Sequence, residues 1–160
     1  MNEPIRPLNQ IPEFGRVTIL IVEDNPDHLF LIKSALEQCM PGVNAIGAVD
    51  RETAITYLET SWGTPKAVPN LVLLDLYLPG RAEGLAAMKE FKDFFQSHRQ
   101  PPVPVVIFSS STAEEDSTAC YDLGANAYMV KSPDFKDWLR YFDTLRQYWL
   151  QTVTLPPFTR

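Results

Sequence analysis

The sequence predicts an α/β fold in which a parallel sheet is covered by helices on both faces. Three observations carry this expectation. Short apolar runs alternate with longer stretches of helical periodicity, the pattern of repeated β-α units. The runs at 17–22, 71–74 and 103–108 are continuously apolar, as in strands buried on both faces. The four strongest runs each end in polar groups: Glu23-Asp24, Asp75, Ser109 to Thr112, and Lys131. Ligands of open α/β sheets bind beyond the carboxyl ends of the strands, so these residues share the candidate site.

The elements follow in order. The first strand, 17–22, leads into Asn25-Pro26, an N-cap followed by a proline in the first helical turn. A helix over 26–39 places Leu29, Ile32, Ala35 and Leu36 at helical spacing, and Pro41-Gly42 ends it. A weaker strand covers 43–49. Asp50 caps a helix to about residue 60, and a Gly- and Pro-containing loop leads to the third strand. A helix over 84–98 buries Leu85, Met88, Phe91, Phe94 and Phe95. The fourth strand is followed by a shorter, more polar helix over 112–123. The fifth strand, 127–130, is followed by a long aromatic helix over 134–151. Right-handed crossovers join such units. The expected organisation is an irregular arm at 1–15, one domain at 16–151 and a tail at 152–160.

Composition bounds the function. The chain has 160 residues, 45% hydrophobic and 21% charged, with net charge −6. That balance suits one globular domain and disfavours a nucleic-acid module, which needs a basic stripe. No apolar run reaches the roughly 18 residues that a membrane span requires. The N-terminal residues lack the apolar core of a signal peptide. Two cysteines, Cys39 and Cys120, lack metal-type spacing, which fits a reduced, cytoplasmic setting. His28 and His98 lack ligand spacing, so no zinc site is expected.

Together, Glu23-Asp24, Asp75 with Pro79 four residues on, Ser109 and Lys131 resemble the receiver domains of two-component signalling. The resemblance covers roughly residues 17–149. It implies a flavodoxin-like doubly wound fold with strand order 2-1-3-4-5. It implies that Asp75 is the phosphoacceptor, and that Glu23, Asp24, Asp75 and the Tyr77 carbonyl hold Mg2+. Lys131 and Ser109 would contact the phosphoryl group, and Ser109 and Tyr128 would form the switch on the face made by the fourth helix, fifth strand and fifth helix. The chemistry is coherent. Magnesium prefers hard oxygen ligands, and a carboxylate can serve as a covalent nucleophile.

Several positions depart from the common receiver pattern. Lysine is followed by Ser132-Pro133 instead of directly by proline, and a cis Lys131–Ser132 bond would cost about 3–4 kcal/mol. The loop after Pro79 is one residue longer, with Glu83 before Gly84. Tyr77 and Ser111 occupy the positions that influence phosphate lifetime. The segment Tyr148 to Pro157, with Lys131-Ser132, resembles single-domain response regulators of bacterial, especially cyanobacterial, phytochromes. This implies a bilin-bearing sensor histidine kinase as partner. With only about ten residues after the last helix, no DNA-binding output domain is expected to follow. Trp138, Phe142, Leu145 and Trp149, with Tyr141 and Tyr148 adjoining, lead to an expected homodimer through the fifth helix and tail. Two alternatives remain at this stage. One is a pseudo-receiver binding module that is not phosphorylated. The other is a haloacid-dehalogenase-type phosphatase, although Tyr77 stands where that class places a second acid.

Overall fold

The computed structural model describes residues 17–64, 67–98 and 103–148. Five β-α units follow one another: β1 (Thr18–Val22), α1 (Pro26–Cys39), β2 (Asn44–Ala48), α2 (Arg51–Ser61), β3 (Leu71–Leu74), α3 (Arg81–Ser97), β4 (Val105–Ser109), α4 (Glu114–Asp122), β5 (Ala127–Val130) and α5 (Phe135–Leu145). The strands form one sheet in the order β2-β1-β3-β4-β5, and every pairing is parallel. This is the doubly wound, flavodoxin-like order that the receiver resemblance implied.

The two faces of the sheet are covered by different helices. Ile19, Ile21, Leu71, Leu73, Val106 and Phe108 pack against α1 and α5 through Ile32, Leu36, Trp138 and Phe142. Leu20, Val22, Val72, Leu74 and Ile107 point the other way, onto Leu58, Met88, Phe91 and Phe95 of α2 and α3. Strand periodicity of two thus feeds two cores, which explains why β1 and β3 read as uninterrupted apolar runs. Full burial of one such aliphatic side chain contributes about 1.5–3 kcal/mol.

Local chemistry sets the helix starts. Asn25 accepts from the amides of Asp27 and His28, and Asp50 accepts from Thr53, as expected of N-caps. Helix α3 begins at Arg81, three residues before the predicted start. Gly80 occupies the N-cap, and Gly84 falls inside the first turns. A Cβ at Gly84 would lie 1.7 Å from the Leu76 carbonyl oxygen, so this glycine permits close helix-loop contact. Helix α4 begins at Glu114 instead of residue 112, because the Ser111 hydroxyl binds the Ala113 amide and holds the preceding residues as a turn. Paired β4 starts at Val105, after Pro104, which lacks an N–H.

Helix α5 ends at Leu145, short of the predicted residue 151, and residues 146–148 continue as a wider π-type turn. Trp138, Phe142 and Leu145 are core residues, so much of the predicted aromatic arc faces inward. Tyr148 is exposed, whereas Trp149, the tail and the N-terminal arm lie outside the described residues. Among the described residues the cis peptide is Leu78–Pro79, and Lys131–Ser132 is trans. No described helix is long and apolar enough to cross a membrane.

Candidate phosphoryl and metal site

The backbone ladder carries the site residues one step past their strands. Glu23 donates its amide to Ala48, Asp75 to Val22 and Lys131 to Ser109. Their side chains therefore emerge together at one edge of the sheet, from three different strand ends. Here they line an open cleft of about 530 Å³, with Asp24, Asn25, His28, Tyr77, Ser110 and Ser111 around them.

Glu23, Asp24 and Asp75 each offer an oxygen, and those oxygens lie within 4.8 Å of one another. Glu23 and Asp75 are buried, while Asp24 is exposed. The Lys131 Nζ bridges the inner pair, 3.0 Å from Glu23 Oε2 and 3.0 Å from Asp75 Oδ2. One lysine does not balance this concentration of carboxylates. Burial and the adjacent Asp75 carboxyl push Glu23 up to about 8, despite the opposing pull of Lys131. Clustered hard oxygen donors with surplus negative charge match a small divalent cation, and the cleft leaves space for its retained waters.

Neighbouring groups fix this arrangement. The Tyr77 amide donates to Asp75 Oδ1 at 3.1 Å, and the Asn25 amide donates to Glu23 Oε1 at 3.3 Å. His28 Nδ1 lies 2.9 Å from Lys131 Nζ and 3.5 Å from Glu23 Oε1, and an ammonium, which only donates, favours the imidazole nitrogen as its acceptor. Burial, then Lys131, pulls the His28 pKa down. Lys131 also stands over the Phe108 ring, at 5.7 Å from its centre. Behind it, the Trp138 indole donates to the Ser132 carbonyl, and the Ser132 hydroxyl donates to Asp137. Ser132 thereby ties the lysine loop to the first turn of α5.

Ser109 is fully buried at the end of β4, and its Oγ accepts from the Ser111 amide at 3.2 Å. Ser110 and Ser111, rather than Ser109, line the cleft. Tyr128 is half-buried, and its hydroxyl donates to the Ser111 carbonyl at 2.9 Å. The residues expected to form the switch therefore meet at Ser111.

Sequence reasoning missed His28, Arg81 and Asp116. His28 lacks metal-ligand spacing in the sequence, and nothing in the local pattern around Arg81 singles it out. Asp116 was hidden in the acidic run Glu114-Glu115-Asp116, where helix-dipole stabilisation is sufficient explanation for each acid. Of the three, only Asp116 is buried. A second cavity, about 290 Å³, lies between α3, β4 and the α4–β5 turn. Met88, Phe91, Phe95, Val103 and Leu123 make it mainly apolar, and it has no cluster of reactive groups.

The model of the response regulator receiver domain matches residues 19–142. The chain belongs to the response regulator receiver family. Response regulator Rcp1 of Synechocystis sp. is 33% identical over 141 residues, covering 86% of this chain and 92% of Rcp1. The probable methanogenesis regulatory protein FilR2 of Methanothrix harundinacea is 33% identical over 132 residues, covering 82% of this chain and 83% of that protein. Among solved structures, phosphorylated RcpA, a cyanobacterial phytochrome response regulator, superposes with TM-score 0.74 at 32% identity, covering 88% of this chain and 99% of RcpA. Rcp1 has also been solved in an Mn2+-bound form, at TM-score 0.70 and 33% identity, with 88% and 99% coverage. This receiver is thus a two-component signalling domain homologous to phytochrome response regulators. Its fold is generally that of a non-enzymatic signalling module, and its acidic cluster is able to hold a divalent metal.

Proposed function

We propose that this receiver accepts a phosphoryl group from a sensor histidine kinase on Asp75 and uses the modification to alter its α4-β5-α5 face. The observation that carries the reading is the set of Glu23, Asp24 and Asp75 oxygens within 4.8 Å, with Lys131 beside Asp75. An Asp75 oxygen attacks the phosphorus of a phosphohistidine, the N–P bond breaks, and the imidazole leaves with its electron pair. Glu23, Asp24, Asp75 and the Tyr77 carbonyl would hold Mg2+. When bound, that cation neutralises the negative charge gathered by carboxylates and phosphate. Lys131 pairs with one phosphoryl oxygen, and the Ser109 hydroxyl donates to another.

Movement of Ser109 toward phosphate disturbs its contact with the Ser111 amide. Ser111 also receives the Tyr128 hydroxyl, so the loop and aromatic side chain shift together. The kinship with RcpA and Rcp1 supports a phytochrome-type, light-sensing kinase as partner. The assignment includes a cytoplasmic location and a homodimer through α5 and the C-terminal tail, with neither nucleic acid nor membrane as partner.

Radiolabelled acetyl phosphate with magnesium tests the central assignment. Wild-type protein is expected to take acid-stable, hydroxylamine-labile label, and Asp75→Asn is expected to take none. Equal labelling of the variant removes Asp75 from the role. An unlabelled wild type, also unlabelled by cognate kinase, favours the non-phosphorylated binding module. Sedimentation at tens of micromolar, the scale of a moderate association, checks the dimer against a truncation after Tyr148. A monomeric full chain in both phosphorylation states overturns that part of the assignment.

A further inference from the structure

We propose that Asp116 is a positioning residue that clamps Tyr77 and Ser111 across the cleft and thereby slows loss of phosphate from Asp75. The inference rests on the assignment of Asp75 as phosphoacceptor. It adds a residue on α4 that does not itself line the cleft. Asp116 Oδ2 accepts from the Tyr77 hydroxyl at 2.9 Å and from Ser111 Oγ at 2.5 Å. Its Oδ1 accepts from Arg81 Nε at 2.6 Å. The residue is 3% exposed, whereas the preceding Glu114 and Glu115 are exposed. An N-terminal helix acid can favour the dipole while remaining in water. Burial beneath three donors instead fixes a particular arrangement.

The clamp joins the loops on two sides of the phosphoryl site. Tyr77 binds Asp75 through its main-chain amide and reaches α4 through its phenol. Arg81 comes from the start of α3, and Ser111 from the β4–α4 loop. Ser111 further connects to Ser109 and Tyr128. The Ser111 and Arg81 hydrogen bonds lower the Asp116 pKa, whereas the bond to Asp116 raises that of Tyr77. Carboxylate acceptor and phenolic donor therefore reinforce one another.

The position of the phenol has a chemical consequence. Hydrolysis requires water to attack phosphorus opposite its bond to Asp75, followed by cleavage of that P–O bond. The carboxylate leaves with the bonding pair, and the attacking water loses a proton to solvent as inorganic phosphate forms. Tyr77, anchored at both ends, forms part of the cleft wall, and a ring held there narrows the approach of water and small phosphodonors to Asp75. Releasing its hydroxyl frees the ring to rotate and opens that approach. A positional restraint can alter reaction rate without contributing a reacting atom.

Asp116→Ala and Tyr77→Phe test this inference separately and together in the full chain. The second variant preserves the aromatic ring and removes only the hydroxyl that reaches α4. Each protein is labelled with acetyl phosphate and magnesium, donor is removed, and loss of label is followed. Both single variants are expected to shorten phosphate lifetime on the order of threefold to tenfold, the kinetic scale of about one lost hydrogen bond. The double variant is expected to match the stronger single variant, because both changes break the same contact. Initial labelling should also accelerate, while in Asp116→Ala, which touches no proposed metal-ligating oxygen, the magnesium concentration giving half-maximal thermal stabilisation stays unchanged. General structural damage would instead slow labelling and weaken magnesium binding. Unchanged lifetimes, independently additive effects, or slowed labelling with weakened magnesium binding overturn the clamp. A wild type that cannot be labelled overturns both the phosphoacceptor assignment and this inference, whereas normal labelling with unchanged variant lifetimes overturns the clamp alone.

Discussion

Two clusters of acidic and donor groups meet at the same cleft with opposite electrostatic balance. Around Asp75, closely placed carboxylates share Lys131, and Glu23 is pushed up to about 8 by burial and its acidic neighbour. Around Asp116, one buried carboxylate receives Tyr77, Ser111 and Arg81, and its pKa falls. The first cluster retains a surplus of negative charge and available oxygen ligands. The second has its oxygens engaged by the surrounding protein. Burial alone therefore does not distinguish a reactive acid from a structural one; the balance of charge and hydrogen-bond partners does.

The largest expected perturbation is Lys131→Met in metal-free buffer. It should reduce stability by about 3 kcal/mol, the low end for breaking a buried pair, because a neighbouring carboxyl can take up a proton. Urea denaturation checks this value, and wild-type stability would remove Lys131 from the essential charge balance. Magnesium is expected to have the next largest effect. At 100 times its Kd it should raise wild-type stability by about 2.7 kcal/mol. The gain should shrink in Asp24→Asn, as read by thermal melts at several metal concentrations; equal gains would exclude Asp24 from the metal site.

Breaking the satisfied cluster with Asp116→Ala is expected to cost about 1–3 kcal/mol, through loss of partners for groups held at a partly buried contact. Equal denaturation losses with and without magnesium would support separate structural and metal roles. The smallest expected effect is of opposite sign. Asp75→Asn should stabilise the metal-free protein by about 1 kcal/mol by removing one crowded carboxylate, on the scale of one pKa unit. Loss of stability in that variant would show that Asp75 pairing with Lys131 outweighs its repulsion by Glu23.

Much of the first cluster was legible because each strand directs a residue to the same edge. Continuous apolar runs identified β1 and β3, and their terminal acids marked Glu23 and Asp75; Lys131 followed the shorter β5. The order β2-β1-β3-β4-β5 was implied by the family resemblance, since periodicity alone does not order the strands. The second cluster depends on angles between loops and helix α4. Asp116 has the local sequence of a solvated helix start, and Tyr77 and Arg81 reach it from 39 and 35 residues away. Gly84 illustrates a related limit: its family position was visible, but its approach to the Leu76 backbone required three-dimensional packing. The exposed apolar arc expected on α5 was reduced because Trp138, Phe142 and Leu145 turn into the core.

The separation of Lys131 from Glu23 by 108 residues also gives the site a folding history. Strands β1 and β3 can bring their acids together before β5 has docked, but that partial assembly lacks the lysine counter-charge. Closure of the last β-α unit supplies Lys131 and tethers its loop through Ser132 and Trp138. Such distant contacts require loop-closure entropy to be overcome and favour slower assembly than local helix contacts. Completion of the sheet is consequently linked to maturation of the proposed phosphoacceptor pocket. In refolding experiments, protection of the β5 amides and recovery of labelling should rise together; labelling before β5 protection would sever that link. On the proposed assignment of Asp75, competence for labelling would then report that the chain has folded through its final strand, joining quality of assembly to readiness of the site.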